Sequence, residues 1–400
     1  MGVEAGTPPE LEEFTYDYDA ALLPGPVPEA FTMWRYASLL PIASAAATYP
    51  LQVGGTPLLP AHRLRTDLAM ASVWCKDETR SPSGSTKDRA TALVLADGRS
   101  RGTNTVTCAS TGNAAAATCI GAGAMGMRAV VFVPTNCDAA KIATMVHCGA
   151  HVFRVDDGYR AAINISRQAA RRFGWIDRNT GTNLMTLEAK KTVAFEIWEQ
   201  LGRRVPDVVV VPVGDGVTLS GIAKGFREIQ ACGGASRLPR LIGVQAQSCQ
   251  PLVRRSMGEQ AASGELDPSG TTAHGIAVVD PVCGDLALRD VARVDGSFVA
   301  ADESEIAAAA GALARMVGVL AEPAAAAALA GLRVALRRNV VDRHEEVVLL
   351  VTGRAGMAQR SWADWQAPRL GEATLEELER SMQDLVNRER AAGRGDSSPP

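Results

Sequence analysis

The sequence is poor in aromatic residues, in lysine and in uninterrupted apolar stretches. Aromatics make up 5% of the 400 residues. An uncharged stretch runs from Thr103 to Met127, but Thr, Ser, Asn and Gly interrupt it, so it is a poor candidate for a membrane span. The start of the chain has no basic segment followed by an apolar one, so we expect no signal peptide.

The cysteine pattern and the charge balance exclude further classes of protein. The eight cysteines form no CxxC pair and no zinc-type spacing, so we expect reduced thiols, no disulfide framework and no metal site. The net charge of −3 provides no basic surface for nucleic acid or for an acidic membrane. We therefore expect a cytoplasmic enzyme without nucleic-acid or membrane partners.

The chain does contain enough hydrophobic residues for a large core, and they are arranged in an alternating pattern. Hydrophobic residues make up 46%, and the length exceeds that of one minimal domain. Short β-branched runs alternate with Ala-rich amphipathic stretches, which predicts a doubly wound α/β architecture with mostly parallel strands. The predicted strands are 105–107, 129–133, 151–155, 208–212, 240–245 and 347–351. The predicted helices are 87–97, 113–121, 139–148, 159–172, 189–201, 220–232, 302–317 and 323–338.

The two ends of the chain differ from this pattern. Residues 1 to about 50 are interrupted by proline and lack periodicity, so we interpret them as an extension that wraps the body. Near the other end, Thr374 and Glu377 form a capping box that predicts a helix reaching about Arg390. The last ten residues are polar and end in proline, so we expect them to be disordered.

Lysine is scarce in a chain that otherwise uses arginine. Of 41 basic residues, six are lysines: Lys76, Lys87, Lys141, Lys190, Lys191 and Lys224. A lysine in such a chain marks a position where a primary amine is required, as for imine formation with an aldehyde. For most of the six, a solvated surface cation is the simpler interpretation.

The first stretch with chemical potential is Ser81 to Arg89. Its turn-forming residues deliver Lys87 to the start of a predicted helix. The positive end of the helix and partial burial both favour the neutral amine, which is the form that attacks an aldehyde. An ordinary loop before a helix, with a surface lysine, remains the alternative.

The second stretch, Cys108 to Asn113, lies between a predicted strand and a predicted helix. The amides and hydroxyls of Ser110, Thr111 and Gly112 would face an anion such as a substrate carboxylate at the helix start. Asn113 is placed to hydrogen-bond an oxygen on a cofactor ring. The alternative is a capped turn, because caps use the same residue types.

The third stretch follows the predicted strand 208–212 and has the form of a phosphate-binding loop. It consists of Gly214, Asp215, Gly216, Val217 and Thr218. It is not a dinucleotide fingerprint, because its third glycine position holds Leu219 and no acidic ribose partner follows a later strand. A small isolated phosphate fits the loop better, with the Asp215 side chain pointing away from it.

The fourth stretch is a late strand that ends at Thr352. Ligands of α/β proteins bind at the carboxyl ends of the strands. A hydroxyl beside a pyridine nitrogen leaves that nitrogen unprotonated, whereas a carboxylate would hold it protonated. Taken singly, Thr352 is equally explained as a cap at the end of a strand. Together, however, the four stretches provide an amine, a carboxylate cradle, a phosphate cradle and a ring partner, which is the equipment for pyridoxal phosphate.

With these motifs, the chain resembles the threonine synthase branch of the fold type II (tryptophan synthase β-like) pyridoxal phosphate enzymes. The resemblance covers most of residues 33–356 and rests on segments 34–36, 39–41, 54–58, 76–78, 84–89, 109–113, 188–192, 194–197, 212–214, 322–324 and 351–353. It implies two doubly wound domains, a larger cofactor-binding one from 51–97 and 205–365 and a smaller inserted one from 98–204. Residues 1–50 and 366–400 would flank them, and the enzyme would be a homodimer of amino-acid metabolism.

The resemblance also implies roles for individual residues. Lys87 would bond the aldehyde of pyridoxal 5'-phosphate and Asn113 would meet the ring oxygen. Residues 110–112 would hold the substrate carboxylate, 214–218 the cofactor phosphate, and Thr352 the ring nitrogen. The freed Lys87 amine would then remove the substrate α-proton. From the resemblance alone, Glu322 would help to orient the cofactor.

Several positions depart from the family pattern. Thr86 replaces a phenylalanine, and Thr186 replaces the arginine that grips the phosphate of O-phosphohomoserine. Losing a bidentate arginine weakens a phosphate site. Lys141 and Arg89 are candidate substitutes, although a helix-surface lysine is the simpler interpretation of Lys141. The segment 272–278 is similar to a stretch of threonine and serine dehydratases.

Three functions follow from this comparison of motifs. The first is elimination or replacement at the β or γ carbon of a small L-amino acid, by a threonine synthase or a divergent relative. The second is a dehydratase or β-replacement synthase of specialised metabolism that uses a substrate without phosphate, which the absence of the arginine favours. The third is a catalytically silent binding subunit, against which the joint presence of Lys87, Asn113 and Thr352 argues.

Overall fold

The computed structural model describes residues 13–25, 31–42, 49–259, 266–355, 369–370 and 374–392. The strands in these ranges are β1 (Leu58–Pro60), β2 (Ser72–Asp77), β3 (Thr105–Ala109), β4 (Arg128–Pro134), β5 (His151–Val155), β6 (Ile176–Asp177), β7 (Val208–Pro212), β8 (Arg240–Ala246), β9 (Ser297–Ala301), β10 (Glu346–Val351) and β11 (Arg369–Leu370). The helices are α1 (His62–Asp67), α2 (Lys87–Ser100), α3 (Asn113–Ala124), α4 (Ala139–His147), α5 (Gly158–Phe173), α6 (Met185–Gln200), α7 (Val217–Ala231), α8 (Pro251–Ser256), α9 (Gly284–Ala292), α10 (Glu303–Val317), α11 (Pro323–Arg337) and α12 (Leu375–Ala392).

The larger sheet has the strand order β1-β2-β10-β7-β8-β9, and every pair except β1–β2 is parallel. Strand β7 lies near the middle, with Val209 opposite both Val348 and Leu241. Its residues are fully buried, which explains why it is a continuous run of valine instead of an alternating pattern. Helix α11 packs on β7, β8 and β9, and its alanines allow a close approach to the sheet.

The smaller sheet has the order β11-β5-β4-β3-β6, and all of its pairs are parallel. Helix α5 packs against β3 and β4, and α3 packs against both strands as well. Its core contains Phe132 and Phe153 on neighbouring strands, with ring centroids 5.7 Å apart. The α/β class with parallel sheets is therefore confirmed.

The first described segment of the extension lies against α6 and α7. The Tyr16 hydroxyl donates to Glu188 at 3.1 Å, and the Tyr18 hydroxyl donates to Glu228 at 3.2 Å. Helix α12 continues to Ala392, and residues 393–400 of the predicted disordered tail lie outside the described residues. Of the helices that the structure describes, none has the length and apolar character that a membrane crossing requires.

The predicted elements were found, with differences that matter for the site. Sequence patterns missed β1, β2 and β9 in the larger sheet, the two-residue strands β6 and β11, and the helices α1, α8 and α9. Strand β2 was missed because it ends in Lys76 and Asp77, charged residues that are nevertheless buried. Helices α6 and α7 begin at Met185 and Val217, earlier than predicted, so Thr186 and Thr218 lie in first turns instead of loops.

Candidate active site

The loop that carries Lys87 is joined by backbone hydrogen bonds to the carboxyl end of β10. The Thr86 amide donates to the Thr352 carbonyl oxygen at 2.8 Å, and the Arg354 amide donates to the Gly84 carbonyl oxygen at 2.8 Å. Because β10 lies beside β7 in the sheet, this loop is held at the edge where α/β ligands bind. Lys87 and Thr352, predicted from separate motifs, are thereby brought to one place.

Lys87 is the first residue of α2 and is half-buried. Its carbonyl oxygen accepts from the buried guanidinium of Arg178 at 3.3 Å. On the other side of the turn, the Lys190 amine contacts both the carbonyl oxygen and the hydroxyl of Thr86. The turn that presents Lys87 is therefore contacted by two buried basic side chains, and neither was among the predicted site residues.

Asn113 opens α3 and connects the smaller sheet to the larger one. Its amide nitrogen donates to Glu322 Oε1 at 2.8 Å, and the Glu322 amide donates to the Gly353 carbonyl oxygen at 3.0 Å. Burial raises the pKa of Glu322, while the Asn113 hydrogen bond and then the nearby Lys87 lower it. Asn113 and Glu322 thus face Lys87 across the edge of the larger sheet.

Gly353 is required by the close approach of these two side chains. A Cβ at this position would lie 2.6 Å from Glu322 Oε1 and 3.1 Å from Asn113 Nδ2. Both distances are shorter than ordinary van der Waals contact. The glycine after Thr352 therefore keeps open the space between β10, Asn113 and Glu322.

The predicted phosphate loop lies at the end of β7. The amides of Gly214, Asp215 and Gly216 donate to no other residue in the described ranges, so they are available to an anion at the start of α7. Gly216 has φ +91°, a conformation that favours glycine. A Cβ on Gly214 would lie 3.0 Å from the Gly275 carbonyl oxygen, which places the segment 272–278 beside the loop.

Asp215 does not point away from this loop as expected. Its carboxylate accepts from the Val217 amide at 3.3 Å and so lies at the start of α7. Burial raises the pKa of the nearby Cys283 thiol to about 12, and Asp215 contributes to the shift. The carboxylate therefore occupies the Val217 amide, which a phosphate would otherwise use.

The predicted carboxylate cradle follows β3. Ser110 Oγ accepts from the Gly112 amide at 3.2 Å, Thr111 is half-buried and Gly112 is exposed. A Cβ on Gly112 would meet nothing within 4 Å, so the turn is open on this side. The turn is adjacent to Asn113 along the chain, which keeps it close to Glu322.

The other two predicted substrate contacts, Thr186 and Lys141, lie in different surroundings from residues 110–112. Thr186 is buried in the first turn of α6, where its hydroxyl donates to the Asn183 carbonyl oxygen at 2.7 Å. Lys141 is exposed on α4, yet it lies close enough to Glu322 to lower the pKa of that carboxyl. Neither provides the fixed cation that an arginine at position 186 would supply.

The prediction that Arg89 could substitute for that arginine was wrong. Its guanidinium is fully buried and is bonded to Glu78 at 2.7 Å and to Glu196 at 2.6 Å. Paired with two carboxylates in the interior, it has no donor directed at a substrate. The sequence pattern missed this pairing because Glu196 lies 107 residues further along the chain.

A family profile described as "Pyridoxal-phosphate dependent enzyme" matches residues 49–353. The chain belongs to this family. Its relatives include the threonine synthase of Methanosarcina acetivorans, 36% identical over 81% of this chain and 80% of that protein. The threonine synthase of Methanocaldococcus jannaschii is 33% identical over 80% and 79%, respectively.

Solved structures show the same fold. Maize serine racemase matches with a TM-score of 0.63 and 20% identity, over 84% of this chain and 93% of that one. Diaminopropionate ammonia lyase from Escherichia coli matches with a TM-score of 0.66 and 16% identity, over 84% and 92%. The resemblance to threonine synthase-like, fold type II enzymes is confirmed, and the chain is a pyridoxal phosphate-dependent lyase of that group.

The residues at the sheet edge fit the family's cofactor. Pyridoxal phosphate needs an amine for its aldehyde, donors for its phosphate and partners for its ring. The structure has a half-buried lysine at position 87 and, at 214–216, amides without a partner among the described residues. Asn113 and Thr352 lie beside the glycine at 353. The cofactor pyridoxal 5'-phosphate is thus consistent with the donor set as well as with the family.

Proposed function

We propose that this lyase acts at the β or γ carbon of a small L-amino acid, with Lys87 as the amine that bonds the cofactor. The observation that carries the proposal is the hydrogen bond from Asn113 to Glu322 beside Gly353, directly next to the loop of Lys87. This contact joins α3, the helix that follows the cradle 110–112, to the end of β10, where Thr352 lies. An amine, an anion cradle and a ring partner therefore face one space.

Each residue then has a task that follows from its position. Pyridoxal phosphate, when bound, supplies an electron-withdrawing ring that makes the substrate α-proton removable. Lys87 is the base that takes this proton, because its amine lies in the turn at the carboxyl end of β10. The amides at 214–216 hold the phosphate, and the residues 110–112 hold the substrate carboxylate. Asn113 meets the ring oxygen, and Thr352 offers a neutral hydroxyl to the ring nitrogen.

The relatives favour the threonine synthase reaction as the first candidate. Both archaeal relatives carry that name, and the alignment spans about four-fifths of each chain. In this interpretation the substrate is O-phosphohomoserine, and Lys141, whose charge lowers the pKa of Glu322, supplies a positive charge near the leaving phosphate. We place this reaction first because the relatives that carry this name match most of the chain.

A dehydratase or β-replacement synthase is the second candidate. Thr186 offers only a hydroxyl, which is already bonded to Asn183, and Arg89 is bonded to two carboxylates. A site without a fixed guanidinium binds a phosphate-bearing substrate more weakly, by about 1.5–3 kcal/mol for one charged hydrogen bond. This arrangement favours threonine, serine or an O-activated serine as the substrate.

A substrate panel on the purified holoenzyme tests both candidates. We expect release of inorganic phosphate from O-phosphohomoserine for the first, and keto acid or replacement product from threonine or serine derivatives for the second. Lys87→Ala, with added pyridoxal phosphate, measures the background in each assay. A holoenzyme that turns over none of these substrates at a rate above Lys87→Ala would contradict the proposal.

Three further features of the molecule are part of the proposal. The two sheets support domain boundaries near residues 97–98 and 204–205, since the smaller sheet is built mainly from strands within 105–177. We also propose a homodimer, by analogy with the family. A cytoplasmic location is supported by the free thiol state of all eight cysteines.

A further inference from the structure

Lys190 differs from the other buried lysines in the partner that it contacts. The Lys76 amine is 2.6 Å from Glu196, and the Lys191 amine is 2.6 Å from Glu188. Lys190 is equally buried, but within the described residues no carboxylate lies at ion-pair distance from its amine. Buried lysines without an acidic partner are rare, because desolvation of the charge is costly.

Both contacts of the Lys190 amine fall on a single residue, Thr86. The amine donates to the Thr86 carbonyl oxygen and lies 3.1 Å from its hydroxyl oxygen. The Thr86 amide donates in turn to the Thr352 carbonyl oxygen at 2.8 Å. Every polar group of the residue before Lys87 is therefore bonded, and two of the three are bonded by Lys190.

The aliphatic part of the Lys190 side chain is also held in place, by packing between two helices. A Cβ on Gly221 of α7 would lie only 2.5 Å from Lys190 Cβ, so the two helices touch at this point. The first part of the side chain is confined between α6 and α7. From there it crosses to the first turn of α2, so its direction is determined by helix packing and not by solvent.

The surroundings of Lys190 favour its uncharged form. Burial lowers the pKa of the Lys190 amine well below its ordinary value, and Lys87 is the next largest cause. Arg178 and Arg89 also lower this pKa, whereas Glu78 raises it. The remaining charged neighbour is Asp88, whose own pKa burial raises. An uncharged amine has two N–H donors, which match the two acceptors of Thr86.

We propose that Lys190 is a positioning residue for Lys87, a hydrogen-bond donor that fixes the Thr86 peptide between α6 and the end of β10. The inference rests on the proposed role of Lys87 as the cofactor-bonding amine. If the Thr86 peptide turns, the Lys87 side chain leaves the turn in a different direction. Lys190 therefore affects how firmly the cofactor is held without touching it.

The test is the rate of pyridoxal phosphate release from purified holoenzyme, followed by its absorbance, for two variants. Lys190→Met removes both donors, and we expect release about tenfold faster, the effect of one buried hydrogen bond. Lys190→Gln keeps an uncharged donor, and we expect release within about threefold of the wild-type rate because neutral donation is retained. Rescue by glutamine separates a neutral donor from a required charge.

Lys191→Gln is the matched control. Lys191 is buried on the same helix but is paired with Glu188 and Glu228, away from Thr86. We expect this control to lower the free energy of unfolding in urea while leaving the release rate unchanged. If Lys191→Gln accelerates release as much as Lys190→Met does, general destabilisation is the cause and the inference is wrong.

Further outcomes would overturn the proposal that Lys190 positions Lys87. Wild-type release from Lys190→Met, or equally fast release from the Gln and Met variants, would overturn the proposal. If Lys190→Met does not fold, Thr86→Val removes one acceptor, and unchanged release from that variant would overturn it as well. Lys87→Ala tests the underlying role separately: if it keeps the visible band of lysine-bound cofactor, the role of Lys87 fails first.

Discussion

At the scale of single residues, the most unexpected feature is the ionic cluster beneath Lys87. Arg89 lies between Glu78 and Glu196, and Lys76 is bonded to Glu196 as well. All four side chains have no exposed surface. Because their carboxylates and cations come from β2, its following turn, α2 and α6, the cluster ties together the elements that position the catalytic turn.

The charge state of Glu78 makes the cluster sensitive to acid. Burial alone would raise the pKa of Glu78, but the Arg89 guanidinium outweighs it and lowers the pKa to about 2. A folded-state pKa below the ordinary value of 4.5 stabilises the protein above that pH, and the contribution is lost as the pH falls toward about 2.

We therefore predict that Glu78→Gln lowers the free energy of unfolding at pH 7 by about 3–5 kcal/mol, because it leaves Arg89 short of a partner in the interior. Its stability should also fall less steeply than that of the wild type between pH 4.5 and about 2. Urea unfolding at several pH values measures both effects. Glu376→Gln, on the exposed face of α12, is the control, and an equal loss in both variants would refute the prediction.

Residue types explain which parts of the site were predictable. Lys87, Asn113 and Thr352 follow strands or open helices, so their places at the edge could be read from local motifs. Lys190, by contrast, lies inside α6, and Arg178 follows the two-residue strand β6, so no local motif marks either of them. The scarcity of lysine marked Lys190 as unusual, but its contact with Thr86 spans 104 residues and depends on tertiary packing.

At the scale of elements, the packing of α6 against α7 determines where Lys190 points. A Cβ on Gly221 would lie 2.8 Å from the Leu187 carbonyl oxygen, and one on Gly225 would lie 2.5 Å from the Lys191 carbonyl oxygen. Carbonyl oxygens of a helix cannot move aside as a flexible side chain can. The two glycines, one turn apart, therefore set the closest distance between these helices.

We predict that Gly221→Ala destabilises the protein by about 1–3 kcal/mol, because the added methyl group forces the helices apart. It should also accelerate cofactor release, since Lys190 lies at the contact. Gly311→Ala is the matched control: it lies within α10, and the atoms nearest to its Cβ would be those at the flexible end of the Arg315 side chain. Urea unfolding compares the two, and equal stability of both variants would contradict this account of the packing.

The elements themselves were predictable where periodicity and burial agree. Strand β7 is apolar throughout and was predicted with its observed bounds, because a central parallel strand is buried on both faces. Strand β2 was not predicted, because its last residues are charged. Their burial depends on partners outside the strand, Glu196 for Lys76 and Thr79 for Asp77. The starts of α6 and α7 were placed too late, because neither has a side-chain cap in the structure.

At the scale of the whole molecule, a mostly parallel sheet and a parallel sheet are connected through the helices α2, α3, α6 and α11. The alternation of short apolar strands and Ala-rich helices predicted the α/β class, and the family comparison confirmed it. The way in which the sheets face each other depends on contacts between distant segments, of which Asn113 with Glu322 spans 209 residues. Such contacts leave no local pattern, so the fold was predictable and the detailed geometry of the site was not.

The absorbance spectrum of the purified protein tests the central claim most directly. We predict a visible band from lysine-bound pyridoxal phosphate in the wild type and in Lys191→Gln, because Lys191 is paired with Glu188 far from the catalytic turn. The lysine-bound band should be absent from Lys87→Ala after incubation with cofactor and removal of the excess, because the nearby Lys190 amine is bonded to Thr86. A Lys87→Ala spectrum that keeps the wild-type band would contradict the account.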